Sequence, residues 1–230
     1  MIILGIDTSS ADLGVSVASN DSPMSSVCRY VRNSHAEHIT QAVKGALDLA
    51  GVSASQVAKV AVSAGPGSFT GLRIGLSFVK GFCLSDERGV LPLSSLMVLA
   101  HAAGAHHNGR IFAALDARQG RIHWGSFSCD NGCISRIGDD RLSAPQELLE
   151  QLQPNDLLVT DTVGYSRSTV FGQFDGKAKI IDAQKRALSR GLSCAVLGFH
   201  SLGDESLWRS GCEAVPNYLQ MPAAQEKLCM

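Results

Sequence analysis

Twice along this chain an apolar run ends in an aspartate, a polar turn follows, and an apolar run returns. The first instance is Met1-Ile2-Ile3-Leu4-Gly5-Ile6-Asp7, then Thr8-Ser9-Ser10-Ala11-Asp12, then Leu13-Gly14-Val15-Ser16-Val17. The second is Phe112-Ala113-Ala114-Leu115-Asp116, then Ala117-Arg118-Gln119-Gly120-Arg121, then Ile122-His123-Trp124-Gly125-Ser126-Phe127. Short apolar runs on either side of a polar turn, with alternation in the returns, make each a β-hairpin. Asp7 to Leu13 and Asp116 to Ile122 have the same spacing, so the hairpins superpose without a gap. Such a repeat implies a duplicated domain. The alternative is two unrelated hairpins that share an aspartate.

The elements between and after the hairpins fit an α/β chain. A third strand is expected near Ser25–Val31, and Ile39, Ala42, Val43, Ala46, Leu47 and Ala50 recur at helical spacing from about residue 36 until Gly51. A strand at 58–63, a glycine-rich loop with a helix to about residue 84, a strand at Val90–Leu93 and a helix from Ser95 to about Ala105 complete the first half. The second half is less regular. Ser143-Ala144-Pro145-Gln146 is a capping box opening a helix through Leu152. Strands are expected at Asp156–Asp161 and Lys179–Asp182, a loop at 162–178 and a helix at Ser189–Leu202. The boundary falls near His107–Gly109, giving domains 1–107 and 108–230.

The loop of the first half is Gly65-Pro66-Gly67-Ser68-Phe69-Thr70-Gly71-Leu72-Arg73-Ile74-Gly75. Glycines flanking a proline make a sharp turn, and Ser68 or Thr70 can cap the helix that follows. The free amides of such a helix start can hold an anion, so a phosphate or nucleotide is one reading. A turn that seats a helix closely on its sheet is the other. No Lys-Ser or Lys-Thr follows the last glycine, so this is not a Walker loop. At 100° per residue, Arg73, Ser77 and Lys80 share one narrow arc, while Leu72, Ile74, Leu76, Phe78, Val79, Phe82 and Cys83 cover most of the rest. That is more apolar surface than one sheet uses, which leaves a face for a second protein. Gly71 and Gly75, one turn apart, would let another backbone approach.

Composition narrows the chemistry. With 20 basic and 21 acidic side chains in 230 residues, the chain lacks the basic surplus of a protein that grips nucleic acid alone. The first apolar run has no basic flank and meets Asp7, so it reads as a strand rather than a signal peptide, and no run of about 18 apolar residues suggests a membrane span. Seven scattered cysteines suit reduced thiols in a cytoplasm. The seven histidines include no His-x-x-x-His or His-Glu-x-x-His pair, and no Gly-x-Ser-x-Gly elbow is present, so neither a metal nor a nucleophile is expected.

Two acidic hairpin turns in two similar domains resemble the layout of the actin and sugar-kinase superfamily. That resemblance makes Asp7 and Asp116 candidates for phosphate or metal contact, with Thr8, Ser9 and Ser10 as hydroxyl donors. Kinase-type hairpins carry glycine where this chain has Thr8-Ser9-Ser10, and the late glycine pair that cradles adenosine is missing, which argues against an ATP site in this chain alone.

The run from Gly65 to Gly75 closely resembles the signature of the TsaB (YeaZ) family. Ile6-Asp7-Thr8-Ser9, Asp116-Ala117-Arg118-Gln119-Gly120 with Trp124, and Pro216-Asn217-Tyr218-Leu219 match it too, with Gln220 where an arginine is usual. The resemblance implies a duplicated actin-like (ASKHA, RNase H-like) fold with mixed sheets. It also implies a non-catalytic role in making threonylcarbamoyladenosine in tRNA, beside the catalytic paralogue TsaD and the ATPase TsaE. TsaD holds a metal with a His-x-x-x-His pair; the equivalent stretch here is Ser94-Ser95-Leu96-Met97-Val98-Leu99. The expected heterodimer, and a possible homodimer on the same surface, would use helices 36–50 and 70–84 through Ile39, Val43, Leu47, Phe69, Gly71, Leu72, Arg73, Ile74, Gly75, Phe78, Val79 and Phe82. Nucleotide or anion contacts, if any, would fall to Asp7, Thr8, Ser9, Ser10, Gly67, Ser68, Thr70, Asp116 and Arg118, with ATP or ADP only at a site shared with the complex and tRNA reached only through it. The rival reading is an independent metallopeptidase-like ("glycoprotease") or ATP-binding kinase-like enzyme.

Overall fold

A computed structural model describes residues 1–20, 22–32, 34–86, 88–161, 171–174, 176–182 and 189–219. The first sheet holds β1 (Ile2–Asp7), β2 (Asp12–Ser19), β3 (Ser22–Tyr30), β4 (Val57–Gly65) and β5 (Gly89–Ser94), in the order β3-β2-β1-β4-β5. β1 is antiparallel to β2 and β2 to β3, whereas β1–β4 and β4–β5 are parallel. The second sheet holds β6 (Gly109–Arg118), β7 (Arg121–Asp130), β8 (Cys133–Arg136), β10 (Leu157–Thr160) and β11 (Lys179–Asp182), with β9 (Arg141–Ser143) paired to β7. Its order, β8-β7-β6-β10-β11, repeats the first sheet strand for strand, with the same alternation of antiparallel and parallel pairs. The expected duplication and mixed sheets are therefore present in the topology itself.

The two hairpins match less closely than their sequences do. Asp7 opposes Gly14, whereas Asp116 opposes Ile122 and a bulge lets Arg118 close the turn on Arg121. Arg118 and Gln119 sit at φ 65° and 52°, in the left-handed region. The gapless superposition expected from spacing is thus off by one residue, because the second turn is tighter.

Both faces of the first sheet are covered by helices. Leu4 and Ile6 of β1, with Val15 and Val17, face α1 (His35–Ala50) and α2 (Phe69–Phe82) and join Ile39, Val43, Leu47, Leu76 and Val79 in one core. Ile3, one residue out of phase on β1, faces the other way. It packs with Ala18, Ala61 and Leu91 against Cys194, Ala195 and Leu197. Those three belong to α5 (Arg190–His200), which follows α3 (Ser95–Gly104) and α4 (Pro145–Leu149). Gly5 and Gly191 make the contact possible: a Cβ on Gly5 would stand 2.1 Å from the Gly191 carbonyl oxygen.

One compact unit is therefore Met1–Val98 with Leu188–Asn217, and the other is Leu99–Ala187 with Tyr218–Met230. This differs from a single cut between 107 and 108. A helical period shows that α5 has an apolar face, not which sheet that face meets. After α5 the chain lies along β5, where Val90 and Arg209 exchange two 2.8 Å backbone hydrogen bonds, and the Asn217 amide then donates to the Ala64 carbonyl at 2.7 Å. Lys59 pairs with Glu205 at 2.8 Å and lies 4.3 Å from the Trp208 ring. The fragment 1–107 lacks this entire layer and is expected to show no cooperative unfolding transition in denaturant, whereas the full chain shows one.

In the second unit, Phe112, Ala114, Ile122, Trp124, Leu148 and Leu158 form the core. The Trp124 indole donates to Ser143 Oγ at 2.9 Å, which gives that residue a packing role.

Candidate functional site

The glycine-rich loop and the first hairpin turn are brought together, but not as an open cradle. Ser68 caps α2 as expected, its hydroxyl accepting from the Gly71 amide at 3.2 Å, while its own amide donates to the Ser9 carbonyl at 2.8 Å. A Cβ at Gly67 would stand 2.5 Å from the Ser9 carbonyl oxygen, one at Gly71 2.1 Å from the Thr8 carbonyl oxygen, and one at Gly75 2.3 Å from Thr8 Oγ1. What Gly71 and Gly75 admit is thus Thr8 of the chain's own turn, its backbone at the first and its side chain at the second. Asp7, Thr8 and Ser9 are consequently buried, and Asp7 Oδ1 accepts from Ser9 Oγ at 2.7 Å. Ser10 is half-buried and accepts the Asp12 amide.

Asp7, Thr8 and Ser9, expected to contact a phosphate or metal, are thus enclosed by the chain's own packing. Gly67, Ser68 and Thr70 remain exposed at the helix start. Asp116 and Arg118 are exposed in the second unit, where the Asp116 carboxylate accepts the Arg118 amide at 2.8 Å.

The residues expected at a partner interface divide sharply. Ile39, Val43, Leu47, Gly71, Leu72, Gly75 and Val79 are buried against the first sheet or the hairpin turn and present nothing outward, because the sheet claims the stripes of both helices that carry them. Ile74, Phe78 and Phe82 pack only partly against that core and stay half-exposed on α2. The Phe78 and Phe82 rings stack with centroids 6.0 Å apart, and Leu49 (71 % exposed) and Leu84 (73 %) stand at the helix ends. Arg73 lies over the Phe69 ring at 3.9 Å. An apolar stripe left over after the core is filled therefore exists, narrower than periodicity suggested.

In the Ser94–Leu99 stretch, Ser94 Oγ accepts the Met97 amide at 3.3 Å and Ser95 Oγ the Gly65 amide at 3.2 Å. Among the described residues, no three His, Cys, Asp or Glu side chains converge on a metal position. Burial pushes the Cys83 thiol up to about 11 and raises Cys194 further, which keeps both protonated. His123 is driven the other way, down to about 4, first by burial and then by Arg121. Its Nδ1 is buried without a hydrogen-bond partner. The folded chain holds this imidazole neutral while the unfolded chain protonates it near 6.5. The stability this difference contributes is complete above that pH and lost as pH falls towards 4. His123→Gln is expected to flatten the fall in melting temperature between pH 6.5 and 4, checked by melting both proteins across that range.

Comparison with known proteins bears on this arrangement. Residues 27–176 match the family model for TsaD, tRNA N6-adenosine threonylcarbamoyltransferase. The Bacillus subtilis (strain 168) tRNA threonylcarbamoyladenosine biosynthesis protein TsaB is 32% identical over 156 residues, 68% of each chain. The chain belongs to the TsaB family. A solved structure from Pseudomonas aeruginosa, described as an uncharacterized protein with similarity to peptidase YEAZ, superposes with a TM-score of 0.79 at 25% identity, covering 95% of this TsaB-family chain and 99% of that one. The activator of 2-hydroxyisocaproyl-CoA dehydratase from Clostridium difficile, 11% identical with a TM-score of 0.51 over 90% of this chain and 97% of its own, shares the actin-like fold. The TsaB-family signature thus maps onto the sealed turn, and its Pro216-Asn217 segment onto the end of β4 through the Asn217–Ala64 hydrogen bond. Gln220 lies outside the described residues.

Proposed function

We propose that this chain is a non-catalytic scaffold and activating subunit of the tRNA threonylcarbamoyladenosine synthase. It binds the catalytic paralogue TsaD, and with it the ATPase TsaE, for threonylcarbamoylation of the adenosine beside the anticodon. The observation that carries this reading is the half-exposed stripe Ile74, Phe78 and Phe82 on α2, which the chain's own core leaves unfinished. Stacked aromatics at the centre of a surface are the side chains that dominate protein–protein affinity. The sealed Asp7–Ser9 turn supports a partner whose nucleotide, if bound, sits at a site shared with the complex, and tRNA is reached through that complex. No described helix is long and apolar enough to cross a membrane. A homodimer on the same stripe would compete with TsaD. The test is tRNA threonylcarbamoylation and peptide hydrolysis by the purified chain, with and without TsaD and TsaE. Formation of the modified base is expected only with TsaD present; robust turnover of either kind by this chain alone overturns the scaffold reading.

A further inference from the structure

Arg88, in the turn between α2 and β5, has a side chain only 9 % exposed, although residues 84–86 just before it are exposed. Its Nε donates to Asp86 Oδ2 at 2.8 Å, its Nη2 pairs with the same oxygen, and its Nη1 donates to the Ala54 carbonyl at 2.7 Å. Ala54 begins the short 3-10 turn that precedes β4, so the guanidinium ties the turn after α2 to a segment 34 residues earlier. The guanidinium carbon lies 4.9 Å from the centroid of the Phe82 ring, and Phe82 stacks on Phe78 at an interplanar angle of 20°. A planar cation held on two sides by fixed acceptors restricts the ring against it. Phe82 is the last residue of α2, where a helix end frays most readily. The side chain with the least backbone support is therefore the one given an external brace.

We infer that Arg88 is a positioning residue, which acts through Phe82 to hold the Phe78–Phe82 pair in the orientation that docks the partner. Lysine could replace the ion pair with Asp86 but not the flat contact with the ring or the simultaneous reach to Ala54. The inference rests on the scaffold reading, in which the occupant of the α2 stripe is TsaD. Preorganising an aromatic anchor strengthens binding by lowering what must be ordered on association.

The experiment is a double-mutant cycle on the affinity of the full-length chain for purified TsaD, using wild type, Arg88→Ala, Phe82→Ala and the pair, with melting temperatures for all four. Arg88→Ala is expected to weaken binding about 5- to 20-fold, and less than about 2-fold when Phe82 is already alanine. Arg88→Lys is expected to behave like Arg88→Ala in binding while melting close to wild type. If Arg88→Ala fails to fold, the cycle is read with Arg88→Lys instead. Equal losses in the two backgrounds would mean that Arg88 touches the partner directly or supports the fold in general, and an unchanged affinity would mean that the brace does nothing; either result overturns the inference. Absence of binding by the wild type would instead overturn the scaffold reading, so the two failures are distinguishable.

Discussion

Gly71→Ala is expected to destabilise the fold by about 3 kcal/mol, while Gly45→Ala and Gly81→Ala are expected to stabilise it by about 0.5–1 kcal/mol. All three glycines lie within α1 or α2, where alanine is intrinsically the better helix former. At Gly45 and Gly81 a Cβ meets nothing within 4 Å, so only the gain in helix propensity remains. At Gly71 the Cβ would meet the Thr8 carbonyl oxygen at 2.1 Å, and that oxygen belongs to backbone that no side-chain change can move aside. Gly75 sharpens the contrast. Its obstacle at 2.3 Å is Thr8 Oγ1, a side-chain atom, with Cγ2 at 3.3 Å. Thr8→Ala should therefore rescue much of the loss in Gly75→Ala and none of that in Gly71→Ala. Equilibrium denaturation of wild type, the four glycine variants, Thr8→Ala and its combinations with Gly71→Ala and Gly75→Ala checks the signs. Equal effects at Gly71 and Gly81 would remove the hairpin turn as the cause.

The second large effect concerns the stripe itself. Phe78→Asp with Phe82→Asp is expected to leave a cooperatively folded chain, about 2–3 kcal/mol less stable because both rings pack partly on the core, and to weaken binding to TsaD more than about 100-fold. Charge placed at the centre of an apolar contact must be desolvated without a partner, which is why two carboxylates should do more than two alanines. Ser77→Asp, exposed on the polar arc of the same helix, should bind as wild type. Co-purification of the three variants with TsaD, alongside melting curves, separates the outcomes. If the double variant only aggregates, both rings belong to the core, and the proposed interface loses its anchor.

Much of the architecture was legible in the sequence because it is local. The hairpins announce themselves by period two and α1 and α2 by period 3.6, and the observed limits of α1 and α2 lie within two residues of the expected ones. Ser68 and Thr70 were the two caps the sequence offered, and Ser68 is the one used. What failed to show was partnership at a distance. The spacing of Gly71 and Gly75 signalled a close backbone approach correctly but could not say that the visitor is Thr8 of the same chain. Most of the residues expected at the interface are buried for a related reason, since an apolar position on a two-sided helix does not record which side the sheet takes. The short strands β8 and β9 follow no long apolar run, and Arg88 belongs to no motif, so its brace on Phe82 depends wholly on tertiary placement.

The return of α5 to the first sheet has a consequence for how the protein is born. On the ribosome, β1 to β5 emerge long before residues 188–217, and the intervening stretch takes roughly 5 to 20 seconds to synthesise. During that interval Ile3, Ala18, Ala61 and Leu91 lack the cover of α5 and have only the start of α3 against their cluster. The amino-terminal half cannot finish folding in order of synthesis. It must wait, with part of one greasy face open to chaperones or to neighbouring nascent chains, for a helix that is translated only after the whole second sheet.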